Sequence, residues 1–171
     1  MSNFHFRMMS FLFKIRDLLS PPLNTLQEAF IKPGSSILDF GCGPGSYSIA
    51  ASDLVGEEGK VFTLDIHPLA VEQIQKKVLK MGLTNIETIR SDCETGLDEN
   101  SIDVILLYDV FHHLMRRYDV KKELYRVLKP DGILSFSDHH MDEEEIISKM
   151  TDDGFFRLSK KGEKTYSFMK V

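Results

Sequence analysis

The stretch ILDFGCGPGSYS (37–48) decides the fold, because it passes from a short apolar run directly into a glycine-rich turn. Gly41, Gly43 and Gly45 form a GxGxG pattern between a predicted strand (36–40) and a predicted helix. Glycine accepts positive φ and lets a backbone approach a ligand closely, and the start of the next helix offers free N–H groups. A dinucleotide-binding fold also has such a turn, and so does a strand–helix turn without a ligand, so the pattern alone leaves the ligand open.

Two residues of this turn argue against a dinucleotide. The pattern GxGxxG counted from Gly41 requires glycine at position 46, where the sequence has Ser46. Asp39 lies two residues before the first glycine, where a carboxylate would repel a pyrophosphate. The same carboxylate suits a cationic ligand or an amine, so the turn favours a positively charged ligand.

The rest of the chain alternates β-rich runs with helical patterns, which is typical of a parallel sheet covered by helices. Five runs predict strands with helical crossovers: 36–40, 60–66, 86–92, 102–110 and 132–139. Two last runs, 155–161 and 165–171, are joined by Gly162-Glu163-Lys164 and predict a hairpin. We therefore predict seven strands, the final pair of which is antiparallel.

Helical spacing of apolar residues and flanking end signals place the helices between these strands. One predicted helix covers 71–81 and stops at Gly82. A second covers 120–128 and is ended by Lys129-Pro130-Asp131-Gly132. A third lies around 146–150, with Asp142 as N-cap and Gly154 as C-cap.

Composition limits the class of protein. The chain has 171 residues, of which 42% are hydrophobic and 27% charged, as expected of one globular domain. The net charge of -5 argues against strong binding to nucleic-acid phosphates. The two cysteines, Cys42 and Cys93, form no CxxC pair, which argues against a disulfide framework, a zinc ribbon or an iron–sulfur cluster. We expect a cytoplasmic protein, with no transmembrane segment and no signal peptide.

Residues 1–34 precede the first predicted strand and form a separate helical segment. One apolar stripe comprises Phe4, Met8, Phe11, Ile15 and Leu18, and a second face comprises Phe6, Met9 and Phe13. Ser20-Pro21-Pro22 should break this helix, and a short second helix should run through Leu26 and Phe30. Because a helix so apolar is usually buried on both sides, we expect it to cover a ligand cleft. A homodimer contact and a membrane-surface contact are the alternatives.

Acidic residues end the second and third predicted strands. Asp65 can accept two hydrogen bonds from a ribose diol, with Ile66 beside an adenine, and Asp92 can accept from an adenine amino group. Exposed loop acids, or a helix cap in the case of Asp92, are the alternatives. With Asp39, these acids lie at the carboxyl ends of neighbouring strands, where ligands of open α/β sheets bind.

At this point the chain resembles a known family. Four stretches in order resemble the motifs of class I S-adenosylmethionine-dependent methyltransferases, in particular the small-molecule, ubiquinone/menaquinone-biosynthesis type: ILDFGCGPGSYS (37–48), LDIHPLAVEQIQKK (64–77), SDCETGLDENSIDVILLYDVFHHL (91–114) and RVLKPDGILSFSD (126–138). The resemblance covers about residues 34–171. The resemblance implies a Rossmann-like, mostly parallel sheet of α/β class, with strand order 3-2-1-4-5-7-6 and strand 7 antiparallel. It also divides the chain into a helical lid segment over residues 1–34 and a methyltransferase domain over residues 35–171.

The family also implies roles for individual residues. Asp39 and the turn Gly41, Cys42, Gly43 and Gly45 would hold the methionine part of S-adenosylmethionine. Asp65 would take the ribose hydroxyls beside Ile66, and Asp92 and Cys93 would flank the adenine edge. Tyr108 and Asp109 would line the sulfonium end. A sulfonium and an α-amino group are cationic, which accounts for carboxylates where a dinucleotide site has none.

The acceptor side is less defined. His112-His113 follows the fourth strand and His139-His140 the fifth, with Asp138 nearby. These residues are a candidate general base, a candidate metal site of two histidines and one carboxylate, or merely a helix start and an exposed pair. We select His113, Tyr108 and His139 as candidate catalytic residues and expect no metal.

The sequence therefore predicts methyl transfer from S-adenosylmethionine to a small-molecule acceptor, leaving S-adenosylhomocysteine. No DPPY- or NPPY-like motif follows the fourth strand, where YDVF (108–111) stands, so a nucleic-acid base is not the expected acceptor. A non-catalytic S-adenosylmethionine-binding protein that acts with a partner is the main alternative, and a nicotinamide dehydrogenase is a more distant one.

Overall fold

A computed structural model of the protein describes residues 8, 10, 12, 13, 15, 16 and 18–171. The described residues from 8 to 19 are helical. The later helices are α1 (Pro22–Leu26), α2 (Ser46–Val55), α3 (Pro68–Met81), α4 (Arg117–Val127) and α5 (Glu143–Thr151), with a 3-10 turn at Phe111–His113. The strands are β1 (Ser36–Phe40), β2 (Lys60–Asp65), β3 (Ile86–Arg90), β4 (Ile102–Tyr108), β5 (Leu128–Ser137), β6 (Phe156–Lys161) and β7 (Tyr166–Lys170).

The strands form one sheet in the order β3-β2-β1-β4-β5-β7-β6. The pairs among β1 to β5 are parallel, and β7 runs antiparallel to both β5 and β6. The predicted fold class, strand order and hairpin are thus confirmed. Strand β1 pairs with β2 on one side and with β4 on the other. The strand order therefore reverses at β1, and the turn after β1 lies at this point.

Alternating residues of the strands point to opposite faces of the sheet, and each face has its own buried cluster. Leu38 and Phe40 of β1 pack in one cluster with residues of α4 and α5. Ile37 packs in the other with residues of α1 and α2. Because Asp39 alternates with Leu38 and Phe40, its side chain lies on the α1–α2 face.

The start of the fifth strand differs from the prediction. We expected Lys129 to Gly132 to be a connection, but β5 begins at Leu128 and includes these residues. Ile102 pairs with Leu128 and Val104 with Ile133, so the strand is irregular over this stretch. An ion pair of 2.6 Å between Lys129 Nζ and Asp103 Oδ1 crosses it, and proline is tolerated at such a bulge.

The end of α3 and the start of α5 agree with the predicted signals, whereas the end of α5 does not. Gly82 ends α3 in the left-handed conformation, and the Asp142 side chain accepts a hydrogen bond of 2.8 Å from the Glu145 N–H at the start of α5. The helix α5 ends at Thr151, three residues before the predicted cap. Gly154 instead has positive φ in the turn that follows, where its N–H donates to the Thr151 carbonyl.

The N-terminal segment breaks at Ser20 and Pro21 as expected, and Pro22 begins α1. The short second helix ends at Leu26, before Phe30. Met8, Ile15 and Leu18 are exposed by 49%, 46% and 85%, so burial on both sides was wrong for these residues. Phe4, Phe6, Met9 and Phe11 lie outside the described residues. In the described part of the chain, we find no helix with the length and hydropathy needed to span a bilayer.

Candidate cofactor site

The glycine-rich turn is fixed by close packing as well as by backbone conformation. Gly41 and Gly45 have φ values of +76° and +80°. A Cβ at Gly41 would lie 2.4 Å from Val110 Cγ2, and one at Gly45 would lie 2.5 Å from Ile74 Cγ1. The turn therefore requires glycine at both positions, and it brings the backbone after β1 against the start of the loop that follows β4.

Asp65, at the end of β2, is held by this turn. Its Oδ2 accepts a hydrogen bond of 2.9 Å from the Gly43 N–H, and its Oδ1 accepts one of 2.7 Å from the His67 N–H. Burial raises the pKa of Asp65, although these two bonds oppose the rise. A carboxylate has about four acceptor positions, so two remain for the hydroxyls of a diol.

Asp39 is buried beneath α2, with 3% of its surface exposed. Its Oδ2 accepts a hydrogen bond of 2.5 Å from Ser48 Oγ. Burial raises the pKa of Asp39 to about 7, and the charge of Asp65 adds to the rise while Ser48 opposes it. A buried carboxylate that lacks a cation gains most from a positively charged ligand, as expected for the amine end of the predicted cofactor.

A cavity of about 200 Å³ opens between the ends of β1, β2, β3 and β4. Asp65, Asp92 and Arg116 line it together with mostly apolar residues. Two of these, Ile66 and Met115, are exposed by 64% and 96%. The further lining residues include Phe40, Gly41, Leu64, Ser91, Val110, His113 and Leu114. A largely apolar slot whose lining includes two carboxylates fits a flat ring joined to a diol.

The two cysteines of the predicted site lie apart from this cavity. Cys42 is buried in the turn, and burial raises the pKa of its thiol. Cys93 is packed into the larger core cluster and lines a neighbouring groove with Asp119 and Glu123. Asp92 thus lines the cavity while its neighbour Cys93 faces the core, and both thiols fit a packing role.

Tyr108 is buried at the end of β4, on the same face as Asp39. Its hydroxyl lies 2.7 Å from Ser135 Oγ, and its ring meets the Tyr47 ring edge-on with 4.8 Å between centroids. Burial raises the pKa of Tyr108, so the hydroxyl stays neutral at physiological pH. Tyr108 is therefore placed to pack beneath the site, and a role as a base is poorly supported.

The histidines and acids after β4 and β5 form two crossed pairs. His112, after β4, has its Nδ1 2.8 Å from Oδ2 of Asp138, at the end of β5. His139, after β5, has its Nδ1 2.6 Å from Oδ1 of Asp109, at the end of β4. Burial tends to raise the pKa of Asp138, but the bonds from His112 and from the His140 N–H outweigh it and hold that pKa below its usual value.

The four imidazoles lie side by side, as their positions after adjacent strands predict. Ring centroids are 3.9 Å apart for His112 and His113, 4.2 Å for His112 and His140, and 4.0 Å for His139 and His140. Burial, with the neighbouring imidazoles, lowers the pKa of His113. Among the described residues, no three histidine, cysteine or carboxylate side chains are grouped to hold a metal ion.

The N-terminal segment lies against the glycine-rich turn. The Phe13 ring comes to 3.7 Å of the Cβ position at Gly43. The Arg16 guanidinium lies over the Phe13 and Tyr47 rings, and one of its nitrogens is 3.8 Å from Asp109 Oδ2. This segment thus reaches both the turn after β1 and the acid after β4.

Three contributors to the site were missed by sequence reasoning. Ser48 lies on the first turn of α2 and donates a hydrogen bond to Asp39 of β1. Its position in the sequence, directly after the glycine-rich turn, was the signal that could have identified it. Arg16 and Met115 carry no local signal, because their positions depend on how distant elements pack.

The fold and site together define a Rossmann-like cofactor-binding protein with methyltransferase topology. The chain belongs to the family described as a methyltransferase domain, whose model matches residues 31–170. The resemblance to class I S-adenosylmethionine-dependent methyltransferases is thereby confirmed.

Individual relatives agree with this assignment. The chain is 32% identical over 109 residues to a demethylmenaquinone methyltransferase of Bacillus mycoides, covering 63% of this chain and 46% of that protein. It is 26% identical over 137 residues to a ubiquinone/menaquinone biosynthesis C-methyltransferase of a Marinomonas species, covering 79% and 55%. The chain thus spans about half the length of the curated relatives it matches.

A solved structure matches over nearly its whole length. It is a SAM-dependent methyltransferase from Aquifex aeolicus, with a TM-score of 0.80, 29% identity, and coverage of 92% of this chain and 97% of that one.

Proposed function

We propose that the protein transfers a methyl group from S-adenosylmethionine to a small-molecule acceptor. The observation that carries this proposal is the placement of Asp39, Asp65 and Asp92 around one glycine-rich turn and one cavity. Each acid has a matching group in this cofactor, whose sulfonium and α-ammonium are cationic. A dinucleotide would bring a pyrophosphate to the same turn, beside the buried carboxylate of Asp39, which would repel it.

The chain's own residues divide the binding task. Asp65 accepts from the ribose hydroxyls while the Gly43 and His67 N–H groups hold it in place. Ile66 and Met115 cover the adenine, and Asp92 receives its amino group. Asp39 and the turn hold the amino-acid end, and Asp109 lies beyond it toward the acceptor. When bound, the cofactor supplies an electrophilic methyl group, and much of the acceleration of such a displacement comes from positioning.

The relatives support a small organic acceptor. Their names state methyl transfer in quinone biosynthesis, and the matched part of this chain is the methyltransferase domain. The chain's net charge of -5 supports a non-nucleic-acid acceptor. Two buried thiols, unpaired in this structure, favour a cytoplasmic setting. For the N-terminal segment we favour a lid over a homodimer contact, since its described residues touch the turn.

Calorimetry with S-adenosylhomocysteine tests the proposal. Asp65→Ala should weaken binding by about 1.5–3 kcal/mol, the range for lost hydrogen bonds to a charged group. Asp53→Ala removes the same charge from an exposed position on α2 and should bind as the wild type does. NADH should show no measurable binding. Equal affinity of the Asp65→Ala and wild-type proteins would refute the ribose assignment.

Turnover separates an enzyme from a protein that only binds the cofactor. We expect release of S-adenosylhomocysteine in an acceptor screen, unaffected by EDTA. Activity that is lost in EDTA and restored by one divalent metal would instead make His113, Asp138 and His139 candidate ligands.

A further inference from the structure

We propose that His139 and Asp109 form the acceptor-side base, with His139 as the catalytic residue and Asp109 as its positioning residue. This inference rests on the proposed methyl transfer and deepens it, because it assigns the proton-accepting atom and the acceptor class. Neither role follows from cofactor binding alone.

The pair has the geometry of an oriented base. Asp109 Oδ1 lies 2.6 Å from His139 Nδ1 and also accepts a 3.2 Å hydrogen bond from the His139 N–H. A carboxylate only accepts hydrogen bonds, so in the neutral ring the proton is on Nδ1 and Nε2 has a free lone pair. The His139 side chain is 65% exposed, so an acceptor molecule can reach it.

The backbone of Asp109 is held in an unusual conformation for this contact. Its φ is +53°, which residues other than glycine seldom adopt and asparagine and aspartate tolerate best. The Asp109 N–H donates a 2.7 Å hydrogen bond to the Ser137 carbonyl, which ties the loop after β4 to the end of β5. Conformations of this kind concentrate at functional sites, where the surrounding structure maintains them.

The pair also lies at the proper end of the cleft. Asp109 Oδ2 is 3.8 Å from a guanidinium nitrogen of Arg16, and this guanidinium lies over the Tyr47 ring at the start of α2. Phe13, which contacts Arg16, reaches the glycine-rich turn. These contacts place the pair next to the end of the cleft assigned to the amino acid and sulfonium. Asp92 and Met115 are at the adenine end.

The other candidates fit less well. His112 is oriented by Asp138, but only 18% of its side chain is exposed. His113 lines the cavity beside the adenine end, and among the described residues no carboxylate accepts a hydrogen bond from its ring. Tyr108 has its hydroxyl bound to Ser135 in the core.

The step balances without a further reactant. The acceptor oxygen forms a bond to the methyl carbon, and the carbon–sulfur bond breaks with its electron pair going to sulfur, which becomes a neutral thioether. The proton of the acceptor hydroxyl passes to His139 Nε2, and Asp109 balances the charge of the imidazolium. A base of this kind is useful for a weakly acidic hydroxyl, so the inferred acceptor class is a phenol or enol.

The tautomer of His139 gives a test that needs no turnover. We expect ¹⁵N spectra of the wild-type protein to show His139 protonated on Nδ1 at a pH where the ring is neutral. In Asp109→Gly, which keeps the positive φ but removes the carboxylate, we expect Nε2 protonation instead. A wild-type His139 protonated on Nε2 would overturn the proposal, since that atom could not take a proton.

Methylation of a phenol series gives the second test, with phenol and 4-nitrophenol as probes. His139→Gln should slow phenol methylation about 10²- to 10³-fold, and Asp109→Asn about 10- to 100-fold. Both losses should fall sharply with 4-nitrophenol at a pH where it is ionised, because no proton then has to be removed. Glu144→Gln changes an exposed side chain on α5, outside the histidine cluster, and should retain wild-type rates with both probes.

The outcomes are distinguishable from failure of the proposed function. If the wild type fails to bind S-adenosylhomocysteine, the proposed function itself fails. If both variants bind it normally and the loss is the same for both phenols, His139 is not the base. If the wild type binds it and methylates neither phenol, the inferred acceptor class is wrong.

Discussion

Asp39 is a buried carboxyl group that forms no ion pair with a cation of the described residues, and its titration should be visible in the stability of the protein. Its pKa is raised to about 7 in the folded state by burial, above its ordinary value of 3.8. The folded state therefore holds this proton more tightly than the unfolded state does. The contribution of Asp39 to the free energy of unfolding is highest below about pH 4, falls as pH rises to about 7, and is constant above that.

Asp39→Asn tests this sign. The amide cannot ionise and can still accept the bond from Ser48. We compare the melting temperature of the ligand-free variant with that of the wild type at each pH. The variant's Tm minus the wild-type Tm should be more positive at pH 8 than at pH 5. Thermal denaturation at both pH values measures the difference, with Asp53→Asn as an exposed control. A Tm difference from the wild type that is equal at the two pH values would contradict the buried ionisation.

Gly45 and Gly96 form a matched pair for a second prediction at this scale. Both have positive φ, but a Cβ at Gly45 meets Ile74 at 2.5 Å, and one at Gly96 meets nothing within 4 Å. Gly96→Ala should lower the free energy of unfolding by about 1 kcal/mol, because alanine is strained at positive φ. Gly45→Ala should cost about 1–3 kcal/mol more, because the core must shift. Urea denaturation measures both, and equal losses would show that the packing at Gly45 is unimportant.

At the residue scale, sequence reasoning identified the acids but not their partners. Asp65 was chosen as a ribose ligand, and the structure shows that it also holds the Gly43 N–H. That bond joins residues 22 positions apart, and no local pattern encodes it. Tyr108 was chosen by its place at a strand end. The alternation that buries Leu106 on the α2 face buries Tyr108 there too.

At the scale of elements, the N-terminal segment is the feature with the clearest functional consequence. Phe13 contacts the glycine-rich turn, and Arg16 contacts Tyr47 and Asp109. On the other side of the helix, Leu12 and Ile15 are exposed by 55% and 46%. One side of this helix thus contacts the glycine-rich turn and Asp109. A lid at this place, as we propose, should slow the release of the ligand.

Deletion of residues 1–20 should leave the domain folded, because α1 begins at Pro22 and β1 at Ser36. The truncated protein should release S-adenosylhomocysteine faster and bind it more weakly. Stopped-flow release measures the rate, and circular dichroism verifies folding. Leu12→Ala alters only the exposed side and should release at the full-length rate. If the truncated protein is folded and also releases at that rate, the segment is not a lid.

Strand and helix periodicity predicted the elements well, because short β-rich runs, the most apolar of them in β4, alternate with stretches of helical apolar spacing. The start of β5 was missed for a physical reason. Lys129 to Gly132 have the composition of a turn, but the pairing of Leu128 with Ile102 and the ion pair to Asp103 keep them in the sheet. Such non-local pairing overrides local turn preference.

At the scale of the whole molecule, Glu28 joins the start of the chain to its last hairpin. Its carboxylate accepts hydrogen bonds from the Glu163, Lys164 and Thr165 N–H groups and from Thr165 Oγ1. Burial tends to raise the pKa of Glu28, but these bonds outweigh it and lower that pKa. A Cβ at Gly162 would overlap this carboxylate, so a larger residue there would have to displace Glu28 from these hydrogen bonds.

Glu28→Gln should lower the free energy of unfolding by about 1–2 kcal/mol at neutral pH, since one oxygen becomes a donor that faces N–H groups. A folded-state pKa below the ordinary value means that the stabilisation is complete above the unfolded pKa and is lost as pH falls through the folded one. Urea denaturation at pH 7 and pH 3 measures this. Glu58→Gln, at an exposed position, is the control. A deficit that persists unchanged at pH 3 would argue against the charge as its cause.

The position of β7 between β5 and β6 has a consequence for how the chain is made. Among the strands of this sheet, β7 is synthesised last, yet it occupies an interior place. Until it emerges from the ribosome, β5 displays an unpaired edge that ends in Phe136 and Ser137, and β6 has no strand to join. Nascent chains that stall before Tyr166 should therefore be the ones that attract chaperones, because an open edge recruits other strands.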